Sequence, residues 1–164
     1  MEIQNLDEFL KYYANLRART MRVAECIPAE SIEWGPAEGR WTNGDIVRHL
    51  AAIERYMYAE TIQGNPHRYA GCGTDLAEGR DAVLDYMRCT HDEPMASCGA
   101  LTPEMLQAKV YTPAGNPISA WKWLRAMCEH EVHHRGQLYT HLGILGVETP
   151  PIFGLRAEQL SAQL

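Results

Sequence analysis

The sequence predicts an all-α fold, an antiparallel four-helix bundle. Three observations predict it: apolar residues recur at helical spacing in several long stretches, the breaks between them are rich in Gly, Pro and Asn, and no alternating β-branched run stands between turn signals. At 164 residues the chain fits one domain, residues 1–164, long enough to bury its own core without disulfides.

From Leu6 the positions Phe9, Leu10, Tyr13, Leu16, Met21, Ala24 and Ile27 follow the helical period, Asp7, Lys11 and Arg17 are placed elsewhere on the wheel, and Pro28 ends the helix. After a loop from Pro28 to Trp41, Thr42-Asn43-Gly44-Asp45 is a helix start, because the Thr hydroxyl can accept an orphan backbone N–H and the aspartate suits the positive helix end. Ile46, Val47, Leu50, Ile53 and Met57 carry this second helix to about Ile62. Gln63 to Gly79 reads as a surface connection. Ala82, Val83, Tyr86 and Met87 mark a third helix that Pro94 should kink or end. Leu101 to Leu106 is a short helical turn with Pro103 near its first position, and Val110 to Asn116 is loop by composition. Asn116-Pro117 predicts the start of a last helix running from Ile118 to about Leu145, stopped by Gly146 and Pro150-Pro151.

Composition narrows the function. Fifteen Lys+Arg against 21 Asp+Glu give a formal net charge of -6, and no basic run stands beside aromatics, so a nucleic-acid partner is not expected. MEIQNLDEFLKYY has no apolar stretch behind a basic start, and no segment approaches ~18 consecutive apolar residues. A cytoplasmic location without a membrane partner is the expectation. The five cysteines form no C-x-x-C pair, and an odd number suits a reducing compartment. The abundance of Trp and Tyr is compatible with a homodimer.

The chemistry concentrates in CEHEVHHRGQ, residues 128–137. At about 100° per residue His130 and His134 lie only about 40° apart, close to Trp123, Met127 and Leu138, so two imidazoles one turn apart face inward. Imidazoles facing an apolar interior are costly unless hydrogen-bonded or metal-bound. A bundle metal site needs a ligand from a facing helix, and His49, flanked by Ile46 and Ile53, supplies one. His49, His130 and His134 are the predicted ligands; three imidazoles leave a fourth position open for chemistry on zinc or another divalent transition ion. His133 projects to one side of the stripe. Arg48, Arg55 and Arg135 could pair an anionic substrate, although each reads better as a structural arginine, and Cys89 or Cys98 could approach the site.

The same stretch contains H-E-x-x-H, the helix of zinc peptidases. The extended form of that motif needs glycine at position 137 and histidine at position 140, where the chain has Gln137 and Thr140. Glu158 is a conceivable downstream ligand, but the sequence predicts no strand to align a peptide. Glu131 is therefore not expected to be a peptidase base.

TNGDIVRHL around His49, TPAGNPISAWKWLRAM leading into EHEVHHRGQLYTHLGILGV, and the closing PPIFGL together resemble the DinB/YfiT-like family of metal-binding four-helix bundles over nearly the whole chain. The resemblance implies three histidine ligands, one on the second helix and two spaced by four on the last, matching His49, His130 and His134. It implies a divalent metal, zinc first with nickel, iron or manganese as alternatives. It also implies a small-molecule substrate, since relatives with an assigned activity include transferases and isomerases that use low-molecular-weight thiols. Thiol-dependent transfer or hydrolysis is the leading expectation; a metal-stabilised scaffold without turnover is the second, and a zincin-like peptidase the third.

Overall fold

The computed structural model describes residues 2–155 and 157–161. Four helical arms form the bundle. The first is α1 (Leu6–Ala24), capped by Asn5, whose side chain accepts the Glu8 N–H at 3.1 Å. The second is α2 (Asn43–Ile53), extended by a π-helical stretch, Glu54–Tyr58, and a final turn, α3 (Ala59–Ile62). Its start is the predicted capping box: the Asp45 N–H donates to Thr42 Oγ1 at 3.0 Å and the Thr42 N–H to Asp45 Oδ2 at 2.9 Å. The third arm is α4 (Arg80–Cys89) followed by α5 (Asp92–Gly99). A short α6 (Pro103–Gln107) has Thr102 as its cap and Pro103 in its first turn. The fourth arm is α7 (Ala120–Ile144), closed at Gly146, whose φ of 71° is the left-handed conformation that a helix end requires and glycine adopts without steric cost. A last turn, α8 (Ala157–Ser161), follows Pro150-Pro151.

Two boundaries differ from the sequence reading, each for a physical reason. The third helix does not kink at Pro94; it stops at Cys89 and restarts at Asp92, so Pro94 falls in a first turn, where its missing N–H has no intrahelical partner to lose. Part of the expected loop and the expected first residues of the last helix instead form a hairpin, β1 (Lys109–Tyr111) antiparallel to β2 (Pro117–Ser119), with Val110 opposite Ile118. Strands of three residues leave too little alternation to detect, and the turn at Gly115 (φ 76°) hides behind Asn116-Pro117. Pro117 thus belongs to a strand, and Ser119 precedes the helix instead.

The arms enclose two apolar clusters rather than one. Phe9, Tyr13, Leu16, Tyr58, Trp123, Leu124 and Met127 belong to the first. Val23, Ile27, Ile46, Leu50, Val83, Met87, Leu138 and Leu142 belong to the second. Between them every arm contributes polar side chains: Arg17 and Thr20 from α1, His49 and Glu54 from the second arm, His91 from the junction of α4 and α5, and His130, Glu131, His134 and Arg135 from α7. The bundle therefore has a polar waist, and the candidate chemistry lies within it. Among the described residues no helix is long and apolar enough to cross a membrane.

Candidate metal centre

The waist holds two polar groups that meet along α7, where His130 lines a small gap together with Arg17, Glu54 and Glu131. One group is His49, His130 and His134, whose donor nitrogens all lie within 4.8 Å of one another. His130 Nε2 is 3.0 Å from His49 Nε2 and 3.1 Å from His134 Nε2. Four ligands about 2.0–2.1 Å from a tetrahedral ion stand roughly 3.3 Å apart, so these contacts have the right scale for one shared ion. Such a cation has a function even in electrostatic terms. His134 Nδ1 lies 2.6 Å from Gln137 Oε1, an acceptor only, which puts the His134 proton on Nδ1 and leaves a lone pair on Nε2. The His130 Nε2 can then donate to one neighbour at most, leaving lone pairs opposed in a site without water-like freedom.

Burial first, then the adjacent imidazoles of His130 and His134, push the His49 imidazole down to about 3. Burial, then His134, His133 and Arg17, push His130 down to about 4. Burial also lowers His134, against the opposing pull of its Gln137 hydrogen bond. All three are neutral donors near pH 7, the form a metal ligand needs. The His49 Nδ1 is buried without a hydrogen-bond partner among the described residues, so this ring is oriented by packing against Trp41, 4.5 Å away between centroids, rather than by a polar contact. Trp41 also stacks on His134 at 5.4 Å, and Tyr58 approaches His130 at 5.9 Å.

The residue next to His49 fixes its helix. Arg48 is 0% exposed, and each of its five N–H donors has an acceptor: Glu33 twice at 2.7 and 2.8 Å, Asp45 at 3.0 Å, and the carbonyls of Cys72 at 2.7 Å and Ala77 at 3.0 Å. It ties α2 to the loops on either side of the site. Gly44 makes room for this clamp, because a Cβ there would stand 2.9 Å from Glu33 Oε1 and 3.0 Å from the guanidinium. Arg48 is therefore structural, as is Arg55, which bonds Glu60 and Glu93. Arg135 turns toward α1, its Nη1 3.4 Å from the Leu16 carbonyl. None of the three arginines faces the histidines as an anion receptor.

The other polar group is a network that the sequence reading missed. Arg17, 4% exposed, contacts Glu54 and Glu131, the latter at 3.1 Å; Tyr13 Oη donates to Glu131 Oε2 at 3.1 Å; and His91 Nδ1 lies 2.7 Å from Glu54 Oε1. Burial opposes the Arg17 charge, but Glu54, Tyr13 and Glu131 outweigh it and raise its pKa. Arg17 does not lie on the polar side of α1: four residues after Tyr13, it is about 40° away on the wheel and shares that buried face. Glu131 is consequently committed to Arg17 and Tyr13 and does not join the histidines.

The remaining sequence candidates separate cleanly. His133 is exposed and meets His134 edge-on, with centroids 4.9 Å apart and the ring planes at 77°. His141 is buried two turns beyond His134 and bonds Asn43 instead of the cluster. Cys89 is exposed and Cys98 is buried in the first apolar cluster, so neither approaches the histidines; all five cysteines are free. The side chain of Glu158 lies outside the described residues.

A profile of the DinB superfamily matches residues 12–138. This chain belongs to the DinB superfamily. In sequence it is 24% identical over 154 residues to the uncharacterized protein YjoA of Bacillus subtilis (strain 168), covering 92% of this chain and 97% of YjoA. The YjoA crystal structure superposes with a TM-score of 0.69 and 18% identity over 90% of this chain and 99% of that one. YfiT from Bacillus subtilis, described as a probable metal-dependent hydrolase with an unusual four-helix bundle topology, superposes with a TM-score of 0.72 and 16% identity over 90% and 91% of the two chains. A mycothiol-dependent maleylpyruvate isomerase superposes with a TM-score of 0.62 and 16% identity, over 82% of this chain and 60% of that protein. These likenesses show that the DinB chain has the four-helix bundle the sequence predicts. In this DinB bundle the second and last arms bring His49, His130 and His134 together, as the sequence placed them.

Proposed function

We propose that this DinB protein is a metal-dependent enzyme acting on a small molecule, with His49, His130 and His134 holding one divalent transition ion, zinc in the first instance. The observation that carries the reading is the convergence of three neutral Nε2 atoms within 4.8 Å, with too few protons to bond one another. Three protein ligands leave a coordination position for an external group. A divalent ion there supplies Lewis acidity, lowering the pKa of a thiol or water at that position toward neutrality. Gln137 holds His134 in the tautomer that offers Nε2, and Trp41 covers the open edge and limits water.

Thiol-dependent transfer or hydrolysis is the chemistry this arrangement serves best. The neighbours support both arms, one being described as a probable metal-dependent hydrolase and the other named for its dependence on mycothiol. A peptidase is disfavoured because Glu131, the residue that H-E-x-x-H would use as base, is engaged by Arg17 and Tyr13. A metal-stabilised scaffold is the second reading, favoured by the close cover of Trp41 over His49 and His134.

Cobalt substitution tests the proposal. The protein should take up one cobalt ion, and a low-molecular-weight thiol should add an intense sulfur charge-transfer band that strengthens toward the thiol pKa near ~8.5. Spectral insensitivity to thiols with solvent exchange at cobalt would select hydrolysis. An inert, closed site would select the scaffold, and failure of the wild type to bind any divalent ion would overturn the metal reading.

A further inference from the structure

Beside the histidine cluster a cleft of about 460 Å³ opens between the loop before α2 and the outer part of α7. Its size falls within the range of small-molecule sites. Trp41 and Ile46 give it apolar walls, His134 and Gln137 lie on the side of the metal centre, and Arg40 and His141 add polar groups to the lining.

The polar groups of this cleft are oriented but unfilled. Asn43 Nδ2 donates to the Ser31 carbonyl at 2.9 Å, which fixes the carboxamide so that its Oδ1 faces His141 Nδ1 at 3.1 Å. His141 must donate from Nδ1, and its Nε2 is left as an acceptor with no hydrogen-bond partner among the described residues. Burial lowers the His141 pKa, keeping that acceptor available at neutral pH. Trp34 packs edge-on against the ring at 5.7 Å and stiffens it. Gln137 commits Oε1 to His134, and its amide Nε2 hydrogens have no partner among the described residues. Arg40, like Arg19, Arg22 and Arg68, is in no ion pair among the described residues, and it lines the cleft.

We propose that this cleft binds a small carboxylate that also carries an N–H or O–H donor, with the carboxylate on Arg40 and the Gln137 amide, the donor on His141 Nε2, and the molecule lying against Trp41. The seven residues from His134 to His141 separate their backbones by about 10 Å, so the ligand is elongated along α7, with its carboxylate between Arg40 and Gln137 nearer the metal centre and its donor at the remote His141 end. Recognition of the reacting end rests on the metal reading above; binding of the remote groups does not. His141 is thus a substrate-binding residue, distinct from the three ligands on the same arms.

The test is run on metal-free protein, so that it reads the cleft alone. The probe is the N-acetylated dipeptide γ-glutamylserine, which has carboxylates and N–H donors and no thiol, with its N-acetylated diamide as the uncharged control. The expected result is saturable quenching of tryptophan fluorescence and a shift of the His141 ring nitrogens in the NMR spectrum with the dipeptide, and neither with the diamide. Arg40→Gln, a change on an exposed loop, should weaken binding at least tenfold. His141→Asn keeps an amide donor at the δ position for Asn43 while removing the imidazole Nε2 acceptor, and should weaken it at least fivefold with an unchanged circular dichroism spectrum. Both variants should retain the wild-type content of bound zinc, measured separately, whereas His49→Ala should lose zinc and still bind the dipeptide. Absence of binding, equal binding of the diamide, or an Arg40→Gln variant that binds like wild type would overturn the proposal. A wild type that binds the dipeptide but no metal would overturn only the metal reading.

Discussion

The two halves of the polar waist solve the same problem in opposite ways. Both bury polar side chains in the middle of a helical bundle, where an uncompensated charge or lone pair is costly. On the side of Tyr13, two carboxylates, Glu54 and Glu131, face a cation that the chain itself supplies, Arg17. On the side of Trp41, three imidazoles face one another with no internal cation among the described residues. The first half carries its own cation, although Arg17 Nε and Nη1 and Glu131 Oε1 have no hydrogen-bond partner among the described residues; the second is a donor set that a cation from solution would complete. The lesson is that burial of polar groups does not by itself mark a functional site. The sign of what is missing does.

Removing the internal cation should have the largest effect. Arg17→Met leaves Glu54 and Glu131 buried without compensation, and urea unfolding should show a loss of about 3–5 kcal/mol. Adding Glu54→Gln should recover part of it, and no recovery would mean that the network is not an electrostatic unit. Removing a donor from the other half should behave differently. His49→Ala and His134→Ala should each unfold, metal-free, close to wild type, yet forfeit the stabilisation that zinc gives the wild type, about 2.7 kcal/mol at a free ion concentration 100-fold above Kd. Equal zinc-induced shifts in wild type and both variants would show that the imidazoles are not the ligands.

Smaller effects sharpen the contrast. Gln137→Leu removes the acceptor that orients His134, and should weaken zinc affinity about 10–100-fold in a chelator competition without abolishing it. The pH response should be smallest near neutrality. The folded pKa values of His49 and His130, about 3 and about 4, lie below the unfolded value near 6.5, so the unfolded chain binds more protons between them. The contribution of these rings to metal-free stability is fully present above pH 6.5 and is lost as pH falls toward 4 and then 3. A thermal melting temperature that falls between pH 7 and 5 in wild type, and falls less in the His49→Ala variant, is the expected outcome; identical slopes would exclude these rings as the titrating groups.

The donor set was legible because its signal is periodic: a spacing of four brings His130 and His134 onto one helical face, and the apolar neighbours of His49 show which face of α2 turns inward. The ion network was not, although its geometry was equally available. Arg17 sits four residues after Tyr13, but its charge suggested solvent, and only the carboxylates on two distant arms explain why it is inside. Pairings across the bundle cannot be read from one helix at a time. The hairpin escaped for a different reason, since Lys109–Tyr111 and Pro117–Ser119 are held by each other and by α7 rather than by any alternation of their own. The π-helical stretch Glu54–Tyr58 likewise has no counterpart in the apolar pattern, yet it lies where Glu54 and Tyr58 meet the two halves of the waist.

A waist that interrupts the apolar interior also sets how cooperatively the molecule opens. Each cluster, one around Trp123 and Leu124 and one around Leu138 and Leu142, excludes water by its own contacts, and the layer between them transmits little hydrophobic coupling. Amide protons in the two ends of α7 should therefore exchange through separate openings in the metal-free protein. An ion gripped by α2 and α7 at that layer would act as a rivet, merging the two openings into one and making the long last helix exchange as a single unit.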